Sequence, residues 1–357
     1  MSGMSLSSAR APGRAWINTS LIYLVLGLVA PAADADLVRE AVNKVSTDHY
    51  RTYEVAIENM GLGFYGGPAY NQHYRSRDGW CNGGTKGNHE VQLYLADQLS
   101  SMGLQVSVQG FFSNVVAEWP GLKTSAEVYI VCAHYDTASG GECPGGDDDA
   151  SGVAGLLEAA RVLTQYRIQS TLRFIAFNGE EDGDKGSQEY VAALPGQESI
   201  AGVINLDVIL RPAWDSDPRE PVDLEVETRE TPDCTAWVES FVQAAALYVP
   251  SLLIDPNSHY PDLWDWGDQG PFLEVGYPAF TAIENSADDM WDGGSNAYYH
   301  SDQDASDALA NSAQSPSSVL YDYDFAADVV KGTVATVALE ARLVRTKENF
   351  CALSPKN

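Results

Sequence analysis

The chain of 357 residues carries 21 basic against 50 acidic side chains, a formal net charge of −29. So acidic a surface repels nucleic acid and anionic membranes, which excludes both as partners and disfavours anionic substrates. A hydrophobic share of 45% is ordinary for a globular protein, so a sizeable core can form and wholesale disorder is excluded.

The N-terminus has the parts of an export signal. Arg10 and Arg14 supply positive charge, Leu21 to Val29 is an apolar run too short to span a bilayer, and Ala33-Asp34-Ala35 is a small-x-small cleavage site. Residues 1–35 are therefore expected to be a signal peptide. The mature chain would start near Asp36 and be secreted, to the periplasm or the medium, with no membrane contact after cleavage. Of the five cysteines, Cys132 lies within an apolar run and reads as a small buried hydrophobe. Cys81, Cys143, Cys234 and Cys351 leave room for one or two disulfides, and their spacing matches no zinc motif.

No internal repeat or long linker divides residues 36–357, which read as a single domain. Val91, Tyr94, Leu95, Leu99 and Met102 recur at helical spacing, with Gly103 as a stop. Leu104, Val106 and Val108 alternate as in a strand. Val128 to Ala133 is continuously apolar, as in a strand buried on both faces. Val153, Leu156, Leu157, Ala160 and Leu163 mark a helix; Leu172 to Phe177 and Val203 to Leu206 mark two more buried strands. Helices near Ala236 to Tyr248 and from about Phe325 to Leu343 complete the series. Strands alternating with helices predict an α/β protein, a three-layer α/β/α sandwich around a central, largely parallel mixed sheet. Ligands of such sheets gather beyond the carboxyl ends of the strands.

The polar clusters obey that rule. His134-Tyr135-Asp136 follows one strand, Glu180-Glu181 another, and Asp207 ends a third; Asp147-Asp148-Asp149 precedes a helix, and His300 lies further on. Two imidazoles and several carboxylates form a donor set suited to zinc or a similar dication, which would neutralise the clustered negative charge. The same features have plainer explanations: Asp147-Asp148-Asp149 can supply N-caps and complement a helix dipole, and a Glu pair can be a solvated surface.

The series His134-Tyr135-Asp136, Gly146-Asp147-Asp148-Asp149-Ala150-Ser151-Gly152, Glu180-Glu181-Asp182-Gly183-Asp184-Lys185-Gly186-Ser187, Asn205-Leu206-Asp207 and Tyr299-His300-Ser301 resembles the bacterial di-zinc leucyl aminopeptidases. Their wider family of zinc exopeptidases includes glutamate carboxypeptidase and glutaminyl cyclase. The resemblance runs from Asn114-Val115-Val116-Ala117 to the final helix and is weaker over residues 36–110. It implies two zinc ions per chain, bridged by Asp148. His134 and Asp207 would complete one site; Glu181 and His300 would complete the other. It also implies a cis Asp148–Asp149 peptide, Asp136 fixing the tautomer of His134, Glu180 as general base, and Tyr299 as donor to the developing oxyanion, with Tyr298 an equal competitor by sequence.

Asp268-Gln269-Gly270-Pro271-Phe272 departs from the family pattern, with Gly267 and Gln269 where Ser and His are common. Trp264, Trp266, Met290 and Trp291 could line an apolar specificity pocket or simply pack. His49, His73, His89 and His259 match no ligand position. The resemblance thus implies release of N-terminal residues from peptides with a free N-terminus. A carboxypeptidase needs cations to hold the terminal carboxylate, and the chain is poor in cations around its motifs, with Arg211 a candidate exception. Carboxypeptidase or dipeptidase action, glutaminyl cyclisation, which the intact Asp148-Asp149-Ala150-Ser151-Gly152 argues against, and a non-enzymatic scaffold are the alternatives. Oligomeric state is open.

Overall fold

The computed structural model describes residues 32–60, 86–123, 127–138, 144–196, 198–211, 224–256, 266–284, 299–300, 304–306 and 321–344. In chain order the elements are α1 (Ala32–Val42), α2 (Thr47–Glu58), α3 (Lys86–Ser101), β1 (Gln105–Gln109), β2 (Asn114–Trp119), β3 (Val128–His134), α4 (Ala150–Leu163), β4 (Arg167–Ile168), β5 (Thr171–Phe177), α5 (Lys185–Ala193), β6 (Ile200–Leu206), β7 (Leu224–Glu227), α6 (Pro232–Tyr248), β8 (Ile254–Asp255), α7 (Gly270–Glu274), β9 (Ala279–Ile283), α8 (Tyr323–Glu340) and β10 (Leu343–Val344). Eight strands form the main sheet in the order β1-β2-β5-β3-β6-β9-β7-β8. The centre, β5-β3-β6-β9, is parallel; β2 on β5, β1 on β2 and β7 on β9 are antiparallel. This is the expected mixed α/β/α architecture.

Alternation along β3 shows how the layers form. Tyr129, Val131 and Ala133 enter a large core shared with α1, α2, α3, α4, α6 and α8, while Val128, Ile130 and Cys132 enter a smaller one. The smaller core also holds Tyr190 of α5 and Phe272 and Leu273 of α7. All of α4 except Arg161 is buried, so apolar residues on every side of this helix find partners. Each of its buried Leu and Val side chains contributes about 1.5–3 kcal/mol. Glu158 is the one charge inside it, and Arg161 and the Ser46 backbone N–H satisfy it.

Caps set the helix starts. Ser46, Asp149, Thr231 and Asp322 each accept a backbone N–H of the first turn of α2, α4, α6 and α8. At the far end, α8 stops at Glu340 instead of reaching Leu343. Arg342 takes φ 62°, and Leu343 pairs with Ile168 in a small second sheet. β1 forms where alternation predicts it, but as an edge strand whose Val108 is 46% exposed. Leu104 is buried and Val106 packs against the core, so the alternating face is covered at its start and runs into solvent at Val108. The helices α1 and α2 have no counterpart in the sequence reading, and Leu37, Val38, Tyr50 and Ile57 place them in the core. The expected cleavage point after Ala35 falls in the first turn of α1. No helix among the described residues is long and apolar enough to cross a membrane.

Candidate metal centre

The carboxyl ends of the parallel strands deliver the motif residues to one place. β3 ends on His134, the turn after β5 carries Glu180 and Glu181, and Asp207 follows β6. The N-terminus of α4 brings Asp148 between them. His134 Nε2 lies 3.2 Å from Asp148 Oδ1 and 3.5 Å from Asp207 Oδ1. On the other side, His300 Nε2 lies 3.0 Å from Asp148 Oδ2 and 3.3 Å from Glu181 Oε2. One carboxylate thus faces two histidines, one with each oxygen.

Those spacings fit zinc. Ligands about 2.0–2.1 Å from a tetrahedral ion stand about 3.3 Å from one another. His134 with Asp207 and His300 with Glu181 each match, with Asp148 common to both. Asp149 also has an oxygen within 4.8 Å of the His134 and Asp207 donors. Its carboxylate is already committed, however. Oδ1 accepts from Gly152 N at 2.8 Å and Val208 N at 3.3 Å, and Oδ2 accepts from His134 N at 3.1 Å. Asp149 is the N-cap and tie-point, so the plain explanation of the acidic triplet holds for that residue, while both oxygens of Asp148 face histidines. The peptide between the two is cis.

The electrostatics call for positive charge here. Burial alone would push the His134 imidazole down, but Glu180, Asp136, Asp148 and Asp207 together push it well up. Asp148, whose burial would raise it, is held below the usual carboxylate range by the two histidines. Burial and the neighbouring Asp148 push Glu181 up to about 8. Burial pushes Glu180 well up, reinforced by Asp207, Glu181 and Asp184 against the opposing pull of His134. Glu180 Oε2 lies 3.9 Å from His134 Nε2, near the donor set without joining it. Tyr299 stacks on His300 with ring centroids 3.8 Å apart, and burial and then the carboxylates keep its hydroxyl protonated.

Asp136 acts otherwise than expected. His134 Nδ1 is 3.1 Å from the Asp136 main-chain oxygen and 3.7 Å from its carboxylate. The carboxylate instead accepts the backbone N–H groups of Glu180 at 3.2 Å and Glu181 at 3.3 Å. Asp136 therefore orients the histidine through its carbonyl and the Glu pair through its side chain.

Sequence reasoning missed Asp304, whose Oδ1 accepts from Asp147 N at 2.9 Å and from the Tyr321 hydroxyl, and whose Oδ2 accepts from Asp148 N at 3.1 Å. No spacing rule flags an acid beyond His300. Gln269, which departs from the family pattern, is fully buried; it accepts from Asn205 Nδ2 at 3.1 Å and donates to the Trp266 carbonyl at 2.5 Å. Trp266 is half exposed. Trp264, Met290, Trp291 and Tyr298, with His73, His259, Cys81, Cys143 and Cys351, lie outside the described residues; Cys132 and Cys234 are buried free thiols. The Arg211 backbone N–H donates to Glu284 at 2.7 Å; burial and then Asp304 push the Asp147 carboxyl well up, and the Arg211 charge opposes them only weakly.

An α/β sandwich with paired imidazole–carboxylate donor sets at its strand ends is the class that fold and site define. The family model described as Peptidase family M28 matches residues 114–315, more than half the chain, and the chain belongs to that family. A probable zinc metalloprotease of Pyrenophora tritici-repentis is 31% identical over 163 residues, 44% of this chain and 32% of that protein. One from Pyricularia oryzae is 27% identical over 276 residues, 69% and 53% of the two. The chain spans at most about half the length of the curated relatives it matches. Among solved structures, LapA aminopeptidase of Legionella pneumophila superposes with TM-score 0.65 at 19% identity, over 87% of this chain and 76% of that one. Porphyromonas gingivalis glutaminyl cyclase does so with 0.58 at 16%, over 82% and 97%. At these identities the likeness is one of fold, which peptidases and cyclases share.

Proposed function

We propose that the chain is an exported aminopeptidase that uses two zinc ions to hydrolyse the first peptide bond of substrates with a free N-terminus. The observation that carries the reading is Asp148, with its two oxygens aimed at two different histidines 3.2 and 3.0 Å away. His134 and Asp207 would hold one ion, Glu181 and His300 the other, with Asp148 between. Bound there, the ions would supply Lewis acidity to the scissile carbonyl and lower the pKa of the attacking water.

The chain's own groups do the rest. Glu180, raised by burial and by like charges, accepts the proton of the attacking water and returns it to the departing amine. Asp136 fixes the backbone of Glu180 and so its reach. Tyr299, held protonated, donates to the oxygen on which charge develops. Glu180, Glu181 and Asp184 give the site an acidic edge, which suits a substrate α-ammonium and opposes a terminal carboxylate. Export rests on the N-terminal pattern alone.

The test is hydrolysis of a panel of aminoacyl chromogenic amides with and without chelator. Cleavage is expected to stop with chelator, to return with zinc and to spare N-blocked dipeptides. Glu180→Gln should lower kcat by about 100-fold or more while zinc content stays at the wild-type value. Full activity in that variant would remove Glu180 from its role, and preference for the N-blocked dipeptide would make the enzyme a carboxypeptidase.

A further inference from the structure

The turn from Asn178 to Gly186 carries both Glu180 and Glu181. Gly179, Gly183 and Asp184 all have left-handed φ values of 81°, 88° and 55°. Inside the turn, Gly183 and Asp184 donate to the Glu180 carbonyl and Lys185 donates to the Gly179 carbonyl. The base is closed from outside by one side chain. Asn114, at the start of β2 and 1% exposed, accepts the backbone N–H of Asn178 on Oδ1 at 3.3 Å and donates from Nδ2 to the Gly186 carbonyl at 2.9 Å. One carboxamide therefore joins the first and last residues of the turn.

Two further observations point the same way. Gly186 leaves no room for a side chain: a Cβ there would stand 2.3 Å from the Asn178 carbonyl oxygen and 2.4 Å from Asn114 Oδ1. The ends of the turn must be that close for the clamp to form. Asn178 is itself fully buried, donating to the Phe112 carbonyl at 2.6 Å and accepting from Asn88 of α3 at 2.8 Å. The turn is thus moored to β2, to α3 and to the chain before β2, while Asp136 holds its inner face.

We infer that Asn114 is a positioning residue for Glu180 and Glu181, closing the base of the turn that aims the general base and one metal ligand. It touches neither substrate nor metal. The inference rests on the reading of those two glutamates given above. It predicts an effect that general loss of stability would not produce. Glu181 belongs to only one donor set, so loosening the turn should weaken one zinc site and leave the set of His134 and Asp207 intact. Displacing the base should lower kcat more than it changes KM, because its interaction strengthens in the transition state.

The experiment uses the full chain with Asn114→Ala and, because truncating a buried carboxamide can cost folding, Gly186→Ala as a second route to the same opening. Three quantities are read on the folded fraction: kcat and KM on an aminoacyl chromogenic amide, zinc removal by graded chelator, and hydrogen exchange across the chain. Each variant should lose about 10- to 100-fold in kcat, as expected for a reacting group displaced by about 1 Å. KM should stay within about twofold. One zinc ion should leave at lower chelator than in the wild type, and exchange should rise over residues 178–186 and not elsewhere. Unchanged kcat with wild-type exchange over 178–186, or a uniform rise in exchange with both ions equally weakened, would overturn the assignment. If the wild-type chain shows no chelator-sensitive hydrolysis, the functional reading fails instead. Exchange over 178–186 then still decides whether Asn114 closes the turn.

Discussion

Asp149 and Asp148 are neighbours with opposite assignments, and Asp149→Asn separates them. Asparagine caps helices about as well as aspartate, so its carbonyl oxygen can keep the bonds to Gly152 N and Val208 N. Its amide then faces the His134 backbone N–H, which now donates to Asp149 Oδ2 at 3.1 Å. A buried donor left against a donor costs about 1–3 kcal/mol. Asp149→Ala loses the cap as well, for a total of about 3–5 kcal/mol. The assay is urea unfolding of each variant, metal-free and zinc-loaded, together with zinc content at saturation. Because the bonds lost are protein–protein bonds, the deficit should be equal in both arms and zinc content should equal the wild type. The reasoning is refuted if Asp149→Asn has wild-type stability without metal and binds one ion fewer. Asp149 would then complete the set of His134 and Asp207.

Other expectations follow from the same geometry. Gly152→Ala puts a Cβ 2.1 Å from the Leu206 carbonyl oxygen and 2.5 Å from Asp149 Oδ1, so α4 must move off β6; calorimetry should show a loss of about 3 kcal/mol. Tyr299→Phe keeps the stacking on His300 but removes the donor, and should cost about 100-fold in kcat with zinc content unchanged; unchanged kcat would leave Tyr299 a packing residue. Glu54 is fully buried, and its folded pKa is well above the usual value because of burial and then Glu58, with Tyr323 opposing. A raised folded pKa gives stability that is present below the unfolded pKa and lost as pH rises through the folded one. Glu54→Gln should therefore gain stability relative to the wild type as pH rises above about 4.5, read from urea midpoints. A gap that narrows with rising pH would contradict the shift.

What the sequence made legible was whatever local pattern controls. Continuous apolar runs located β3, β5 and β6, and the sheet rule then placed His134, Glu180, Glu181 and Asp207 together without a coordinate. Contacts chosen by tertiary packing were not legible. Nothing near Asp136 says that its carboxylate serves two backbone N–H groups in another turn. Nothing near Asp304 says that it holds the Asp147–Asp148 backbone. Apolar periodicity continued past Glu340, but a left-handed Arg342 turned Leu343 into a strand. Val108 alternates in phase with Leu104 and Val106, which meet the core, and still faces solvent, because the covered stretch of this edge strand ends before it.

The unequal cores on the two faces of the sheet have a consequence for how the centre would come apart. Asp148 and Asp149 ride on α4, which is embedded in the larger core, whereas Glu181 leads into α5, which rests on the smaller one. Regions with less buried apolar contact open more often than the global stability would suggest. A partial opening that lifts α5 would take Glu180 and Glu181 with it and leave Asp148, His134 and Asp207 in register. On the function proposed above, the set of His300 and Glu181 would then fail before that of His134 and Asp207, and hydrolysis would lapse before the molecule unfolds.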